Sequence, residues 1–305
     1  MPSKEAKMIN EMFKSMPREP EGTKHDYVAE REQNAKRPMP ELPEGITLEE
    51  TEFDGISGEI LRPEHPKDAV IWYLHGGGFT TGSAKERRDI TQYLAKTYEV
   101  TVISINYRLS PEHKWPAHLD DCMKVYDELL RQGYDPKKMI FMGESAGGTL
   151  VLSTALRLAA EGKPQPAALV AFSPCTEQAV GLPSHTENID TDYMLRDGTT
   201  RPEQYEAVFG INDRKACVEM LKDPLISPYY GDYSDLPPVF FAASDTEVLY
   251  DDSRLLFERL KKEGHQVQLD VQHELCHAYP MLPVLPEARE TIQKAMDFAG
   301  KVMGE

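Results

Sequence analysis

The chain has 305 residues, enough for one large α/β domain with an insertion or for two ordinary domains. Hydrophobic residues make up 40% and charged residues 28%, a balance typical of globular proteins with a sizeable core. Lys and Arg number 34 against 51 Asp and Glu, and this net charge of −17 disfavours nucleic acid and anionic membrane surfaces as partners, because both need clustered positive charge.

The N-terminal sequence predicts neither export nor membrane insertion. Residues 1–7 lack the apolar region of a signal peptide, and no stretch reaches the apolar length of a membrane-spanning helix. The cysteines have no C-x-x-C spacing and are typical of reduced thiols in a cytoplasmic protein: Cys122, Cys175, Cys217 and Cys276. We therefore predict a cytoplasmic location.

Residues 1–48 are polar, but a weak amphipathic pattern predicts a short helix that docks on the rest of the protein. From Thr51 onward, apolar runs typical of strands alternate with helical runs. We predict strands at Thr51–Leu61, Ala69–His75, Val100–Asn106, Met139–Gly143, Leu169–Ser173, Val239–Ala243 and Val267–Gln272. We predict helices near Lys85–Lys96, Ala117–Arg131, Ala146–Ala160, Asp251–Glu263 and Glu287–Lys301. This alternation predicts an α/β fold with a mostly parallel, doubly wound sheet and helices on both faces.

One segment interrupts the alternation, from Glu177 to about Tyr233. It is far longer than an ordinary connection between strands, and long insertions in compact domains usually form lids or caps. We therefore divide the chain into an N-terminal segment, residues 1–48, a first core part, residues 49–176, an insertion, residues 177–233, and a second core part, residues 234–305.

The sequence Gly143-Glu144-Ser145-Ala146-Gly147-Gly148 lies between a predicted strand and a predicted helix. A serine on such a turn is exposed above the sheet, and glycines allow the close approach of backbone that the turn requires. A bare G-x-S-x-G is common by chance, so the flanking strand and helix carry the weight of the prediction. We predict that Ser145 is a nucleophile.

A serine hydroxyl needs a base to remove its proton, and histidine is the usual one. His273 and His277 both follow the last predicted strand at its carboxyl end, where open α/β sheets place their active sites. We predict His277 as the base because it lies deeper in the loop, with His273 as the alternative. The acid that orients the base should follow the strand Val239–Ala243, which leaves Asp245 or Glu247.

Hydrolysis of an acyl group also needs backbone N–H groups that stabilise an oxyanion. Three consecutive glycines, Gly76–Gly78, follow a predicted strand and could present such groups. We predict the donors to be Gly77, Gly78 and Ala146, the residue after the nucleophile. Candidate substrate-binding residues are the aromatic side chains Phe79, Tyr193 and Phe209, although the two in the insertion could equally pack the cap onto the core.

Five segments in chain order resemble the motif set of the hormone-sensitive-lipase family (family IV) of carboxylesterases. They are His75–Phe79, Tyr107–His113, Gly143–Gly148, Asp223–Pro228 and His277–Tyr279, and the resemblance extends from about residue 40 to residue 280. The resemblance implies an α/β-hydrolase core with a cap built from the N-terminal segment and the insertion. It also implies hydrolysis of short-chain carboxylic esters with water and without a cofactor or metal, and a homodimer through the edge of the sheet.

Two positions depart from the family pattern. Glu144 stands where the family usually has Asp, and we expect this change to alter support of the site more than its chemistry. The family's Asp-x-Leu-x-Asp is here Glu247-Val248-Leu249-Tyr250-Asp251, which implies that Glu247 completes a Ser-Glu-His triad. Asp245 has the commoner chemistry but the wrong register, and it stays the alternative.

Two rival functions also share features with this sequence. His273-Glu274-Leu275-Cys276-His277 matches the H-E-x-x-H signature of zinc hydrolases, but that motif needs a helix and here it follows a strand pattern. A non-catalytic small-molecule receptor can share the same fold, as the gibberellin receptors do, but those receptors lack the catalytic histidine, which is present here as His277.

Overall fold

The computed structural model describes residues 1–18, 23–39, 41–195 and 202–304. Residues 19–22, 40, 196–201 and 305, which belong to the predicted N-terminal segment, insertion and second core part, lie outside the described residues. The described chain forms an eight-stranded sheet in the order β1-β2-β4-β3-β5-β6-β7-β8. The strands are β1 (Ile46–Phe53), β2 (Ile56–Pro63), β3 (Val70–Leu74), β4 (Thr101–Ile105), β5 (Met139–Glu144), β6 (Ala168–Phe172), β7 (Val239–Ser244) and β8 (Val267–Gln272).

The sheet is parallel from β4 to β8 and antiparallel where β2 pairs with β1 and with β4. This confirms the mostly parallel sheet. The prediction of a single strand at Thr51–Leu61 is wrong, because this region is a hairpin in which Phe53 pairs with Ile56. Asp54 and Gly55 form the turn with φ of 49° and 85°, and such a two-residue turn requires positive φ at both positions.

The longer helices cover both faces of the sheet. The α-helices of the described chain are α1 (Lys4–Ser15), α2 (Tyr27–Ala35), α3 (Arg88–Tyr98), α4 (Ala117–Arg131), α5 (Ala146–Ala160), α6 (Ser184–Glu187), α7 (Pro202–Phe209), α8 (Val218–Leu221), α9 (Tyr250–Lys262) and α10 (Pro286–Met303). The predicted helices Ala117–Arg131 and Ala146–Ala160 have the observed bounds, and the other three predicted helices differ by a few residues at their ends.

Alternate residues of each central strand enter two separate apolar cores, as the period of two in a strand requires. On β3, Trp72 and Leu74 pack in the core beneath α4, α5 and α9. Ile71 and Tyr73 pack in the core beneath α3 and α10. Because both faces are covered, the central strands are apolar throughout and their carboxyl ends remain the natural place for a site.

Two further segments lie beyond these layers. Helix α1 buries one side against the end of the chain, where Ala6, Ile9 and Phe13 pack in a cluster with Tyr279 and Leu285. In the insertion, a separate cluster contains Ala179, Tyr205, Ile211, Leu221 and Ile226. None of the helices in the described ranges has the length and apolarity to cross a membrane.

Candidate active site

Ser145 occupies the turn between β5 and α5. Its backbone has φ 54° and ψ −124°, a conformation that residues other than glycine rarely adopt. Its backbone N–H donates to Phe172 O at 2.9 Å, which holds the turn against the neighbouring strand. The flanking glycines are sterically required. A Cβ at Gly147 would lie 2.0 Å from Leu74 O, and one at Gly143 would lie 2.7 Å from the Gly147 backbone. The serine is thus strained and partly exposed at the carboxyl edge of the sheet.

His277 and Glu247 form a buried pair at the same edge. His277 Nδ1 lies 2.7 Å from Glu247 Oε2, and the two side chains are 3% and 0% exposed. With Nδ1 donating to the carboxylate, Nε2 is left as the proton acceptor of the neutral ring. His277 Nε2 is buried and has no hydrogen-bond partner among the described residues, so it is available to a hydroxyl in the cavity.

Two further donors hold the Glu247 carboxylate in place. Oε1 accepts from Ser173 Oγ and from the backbone N–H of Ser244, each at 2.8 Å. Ser173 Oγ also accepts from Ala278 N at 3.2 Å, so one hydroxyl connects the acid to the residue after the base. Sequence reasoning missed Ser173, although its position directly after β6, at the carboxyl edge, is a signal that could have identified it.

The environment of His277 sets its protonation. Burial lowers the pKa of the ring because a charged imidazolium is poorly solvated, but the hydrogen bond and negative charge of Glu247 raise it by more. The net effect is a pKa above the ordinary value of histidine. A raised pKa means that a base of this kind stabilises the proton that it receives.

The alternative residues from the sequence form their own pair outside this arrangement. Asp245 Oδ2 lies 2.6 Å from His273 Nδ1, and the side chains are 34% and 63% exposed. Asp245 Oδ1 accepts from Glu274 N at 3.1 Å. The structure therefore brings Glu247 to His277 and leaves Asp245 with His273.

The glycine loop after β3 adopts a conformation that side chains would prevent. Gly77 has φ 115° and Gly78 has φ 60°, and a Cβ at Gly77 would lie 2.3 Å from Thr81 O. Burial lowers the pKa of the adjacent His75 to about 3, so the imidazole of His75 is neutral. The backbone oxygen of His75 accepts a hydrogen bond from Tyr107 Oη at 2.6 Å. The loop is rigidly supported, as a preorganised oxyanion site must be.

Glu144, the residue that departs from the family pattern, supports this loop. Its carboxylate accepts from Gly76 N at 2.6 Å, from Tyr73 Oη at 2.5 Å and from Arg87 Nε at 2.5 Å. The side chain is 1% exposed and connects β5 to the glycine loop. The N-terminal segment also contacts the loop, because Arg31 of α2 donates to Thr80 O at 2.9 Å.

A cavity of about 530 Å³ brings most of the predicted residues together. Its lining includes Ser145, Ala146, His277, Gly77, Gly78, Phe79 and Phe209. It also includes Phe13 and Tyr27 from the N-terminal helices. Tyr193 is not part of the lining. The centroid of its ring lies 5.5 Å from Lys14 Nζ of α1, so this side chain contacts the N-terminal segment.

Comparison with known proteins identifies the family. The family model described as the alpha/beta hydrolase fold matches residues 71–281. An acetyl-hydrolase of Streptomyces hygroscopicus is 32% identical over 250 residues, which cover 82% of this chain and 81% of the relative. The chain belongs to the α/β-hydrolase fold family.

Solved esterase structures are similar to this hydrolase over nearly the whole chain. The esterase EstE5, whose crystals were soaked with p-nitrophenyl butyrate, superposes with a TM-score of 0.88 at 26% identity, covering 99% of this chain and 100% of that one. An esterase from the bacterial hormone-sensitive lipase family superposes with a TM-score of 0.84 at 29% identity, covering 99% of each chain. The resemblance noted in the sequence is confirmed, and the relatives' names agree with the predicted enzyme class, a carboxylic ester hydrolase.

The zinc motif of the hydrolase does not have the structure that zinc binding requires. Residues 273–277 form bends and turns after β8, and a helix is needed to bring the two histidines of H-E-x-x-H together. His273 and His277 instead contact different carboxylates. Within the described ranges, no group of three or more His, Cys, Asp or Glu side chains is arranged to hold a metal ion.

Proposed function

We propose that the protein is a serine carboxylesterase that hydrolyses short-chain carboxylic esters through an acyl-enzyme intermediate, with Ser145, Glu247 and His277 as its triad. The observation that carries the proposal is the buried Glu247–His277 pair, whose free ring nitrogen belongs to the cavity that contains Ser145. The cavity of about 530 Å³ is of a size for a small ester.

In the first half of the reaction, His277 Nε2 accepts the Ser145 proton as the hydroxyl oxygen attacks the ester carbonyl. Glu247 keeps the proton of the ring on Nδ1 and stabilises the imidazolium that forms. The backbone N–H groups of Gly77, Gly78 and Ala146 stabilise the oxyanion, and one such donor is typically worth about 3 kcal/mol. The imidazolium then gives its proton to the leaving alcohol as the tetrahedral intermediate collapses.

In the second half, His277 removes a proton from water, and the hydroxide oxygen attacks the acyl-enzyme. Collapse of the second tetrahedral intermediate breaks the ester bond to Ser145 and returns the proton to its hydroxyl. Every proton in this cycle passes through the imidazole, so the cycle requires no cofactor.

We further propose that the N-terminal segment and the insertion act together as a cap over this site. Support comes from the cavity lining, to which α1, α2 and α7 all contribute side chains. The homodimer implied by the family resemblance would form along an edge of the sheet, and the edge strands are β1 and β8. Analytical ultracentrifugation of the full chain tests the dimer independently of activity.

The triad is tested by labelling the folded protein with a fluorophosphonate, followed by peptide mapping and an assay on p-nitrophenyl butyrate. We expect modification of Ser145 and parallel loss of hydrolysis. Ser145→Ala should lose both label and activity, whereas Ser234→Ala, at an exposed serine outside the cavity, should keep both. Labelling of another serine, or full activity in Ser145→Ala, would refute the proposal. A non-catalytic receptor would show neither label nor hydrolysis in the wild type.

A further inference from the structure

A second cavity of about 460 Å³ lies beside the catalytic one, between the start of α4 and the end of the insertion. Its apolar lining is Trp115, Pro116, Leu119, Met220, Leu225 and Ile226. Three charged side chains complete the lining. Asp120 and Arg157 form an ion pair of 2.6 Å, and the exposed Asp223 accepts from Leu225 N at 2.9 Å through Oδ1. Such a surface suits an alkyl chain, because the chain gains from leaving water, the Asp120–Arg157 pair carries no net charge, and the exposed Asp223 keeps its contact with water.

One side chain belongs to both cavities. Phe209, the last residue of α7, is half-buried and lines the catalytic cavity on one side and the second cavity on the other. Its ring centroid lies 5.7 Å from that of Tyr205, in the catalytic cavity, and 6.2 Å from that of Trp115, in the second. Phe209 is therefore part of the wall that separates the two spaces.

The rest of this wall is firmly held. Trp115 packs edge-on against Phe79 with a centroid distance of 5.9 Å, and its backbone N–H donates to Val208 O at 2.8 Å. These contacts fix the loop before α4 to α7. The ring of Phe209 is the part of the wall that a single substitution can remove while these contacts remain.

We propose that the second cavity is a distal acyl subsite for long alkyl chains and that the Phe209 ring closes it off from the catalytic cavity. The inference rests on the proposed function, since it places the acyl chain of an ester bound at Ser145. The wall adjoins Phe79 of the glycine loop, where the carbonyl group is held. The leaving alcohol must lie within reach of His277, which is absent from the lining of the second cavity. The chain that points toward Phe209 is thus the acyl chain.

The test compares wild type, Phe209→Ala and Phe209→Leu on p-nitrophenyl esters from acetate to dodecanoate. We expect kcat/KM for decanoate relative to acetate to rise by about tenfold or more in Phe209→Ala, because access to an apolar pocket discriminates chain length on this scale. Phe209→Leu should show a smaller rise. A second series, with acetyl held constant and the alcohol lengthened, should show no comparable rise in either variant.

A double variant then asks where the longer chain goes. Met220 is exposed and lines the second cavity but not the catalytic one, so Met220→Trp fills that space with little risk to folding. In Phe209→Ala/Met220→Trp the gain on decanoate should be lost, while hydrolysis of acetate should match that of Phe209→Ala. Met220→Trp alone should keep the wild-type ratio of kcat/KM for decanoate to that for acetate, because Phe209 still closes off the second cavity. Thermal unfolding of each variant verifies that the fold is retained.

The outcomes separate this inference from the proposed function. If wild type hydrolyses acetate but Phe209→Ala gains nothing on decanoate, the subsite is refuted and the esterase proposal stands. The subsite is equally refuted if the double variant keeps the whole gain, or if the gain appears on long alcohols instead of long acyl chains. If wild type hydrolyses no ester and Ser145 resists the fluorophosphonate, both proposals fall together.

Discussion

The molecule contains two imidazole–carboxylate pairs built from the same two loops. The loop after β7 supplies Asp245 and Glu247, and the loop after β8 supplies His273 and His277. The Nδ1···O distances are nearly equal, 2.6 Å for His273 with Asp245 and 2.7 Å for His277 with Glu247. By the geometry of the single hydrogen bond, either pair could be the histidine and acid of a triad.

The difference lies in what surrounds each pair. His277 and Glu247 are 3% and 0% exposed, whereas His273 and Asp245 are 63% and 34% exposed. In water an ion pair is screened and contributes little, while in a buried site the same charges interact strongly. The hydrogen bond from His273 to Asp245 raises the pKa of the His273 ring, but this ring faces solvent and lines neither of the two cavities described above. Burial, additional donors to the acid and a free Nε2 in the cavity are the features for which we propose the His277–Glu247 pair, and not the His273–Asp245 pair, as the histidine and acid of the triad.

The largest expected effect comes from removing each imidazole in turn. His277→Ala should lower kcat/KM for p-nitrophenyl butyrate by about 10⁵- to 10⁶-fold, because loss of the base in a Ser-His unit costs on this order. His273→Ala serves as the matched control and should stay within about threefold of wild type, as expected for an exposed side chain outside the chemistry. Comparable losses of kcat/KM in the two variants would contradict the assignment of His277, and not His273, as the base.

Removing charge from each acid should have the next largest effect. Glu247→Gln keeps the shape of the side chain but cannot hold the required tautomer of His277, and such a change typically costs about 10³- to 10⁴-fold in kcat. Asp245→Asn should leave kcat nearly unchanged. The measurement is kcat on p-nitrophenyl butyrate at saturating substrate, together with thermal unfolding. A larger loss in Asp245→Asn would assign the triad acid to Asp245.

The sequence could predict where Ser145 and the two histidines lie in the fold. Strand and helix periodicity placed Ser145 on the turn before α5 and put both histidines after the last strand, because a parallel α/β pattern brings carboxyl ends to one edge. Register with the family motif favoured Glu247 over Asp245, and the structure brings Glu247 to His277. The prediction failed at residues 51–61, because a single strand there overlooks Asp54-Gly55, a dipeptide typical of two-residue hairpin turns, across which Phe53 pairs with Ile56.

Contacts between residues distant in sequence were beyond this reasoning. Tyr73 and Arg87 reach Glu144 across 71 and 57 residues, and Ser173 reaches Glu247 across 74. Nothing local in the sequence links these side chains, because they meet only once the strands are ordered in the sheet. The contact between Lys14 of α1 and the ring of Tyr193 in the insertion is likewise invisible in the local sequence.

The hydroxyl group that donates to the buried acid allows a further test of the same comparison, with a smaller expected effect. Ser173→Ala removes one donor to Glu247 Oε1 and the acceptor of the Ala278 N–H. A hydrogen bond to a buried charge is worth about 1.5–3 kcal/mol, so we expect kcat to fall by about 10- to 100-fold. Ser173→Thr, which restores the hydroxyl, should recover part of the loss, whereas a merely structural role would give equal losses in both variants. The half-buried Asp245 has no equivalent buried hydroxyl donor among the described contacts.

The smallest expected effect is a displacement of the pH profile. His277 acts as a base only when neutral, so kcat/KM should rise with pH through the pKa of this ring. Burial lowers that pKa and Glu247 raises it by more, which puts the midpoint above the ordinary histidine value of about 6.5. In Glu247→Gln the effect of burial remains and the carboxylate charge is gone. The residual activity should therefore rise at lower pH, by on the order of one pH unit or more.

Asp245→Asn is the control for this displacement. Asp245 interacts with the exposed His273, so its charge should leave the titration of His277 where it was, and the profiles of Asp245→Asn and wild type should superimpose. The profiles are measured as kcat/KM for p-nitrophenyl butyrate from pH 5 to pH 9, corrected for spontaneous hydrolysis. A midpoint that moves in Asp245→Asn but not in Glu247→Gln would mean that the charge of Asp245, and not that of Glu247, sets the pKa of the base. A midpoint that moves with Glu247 alone ties the pH dependence to the buried pair, because only a charge held in a water-excluded site acts this strongly on one imidazole.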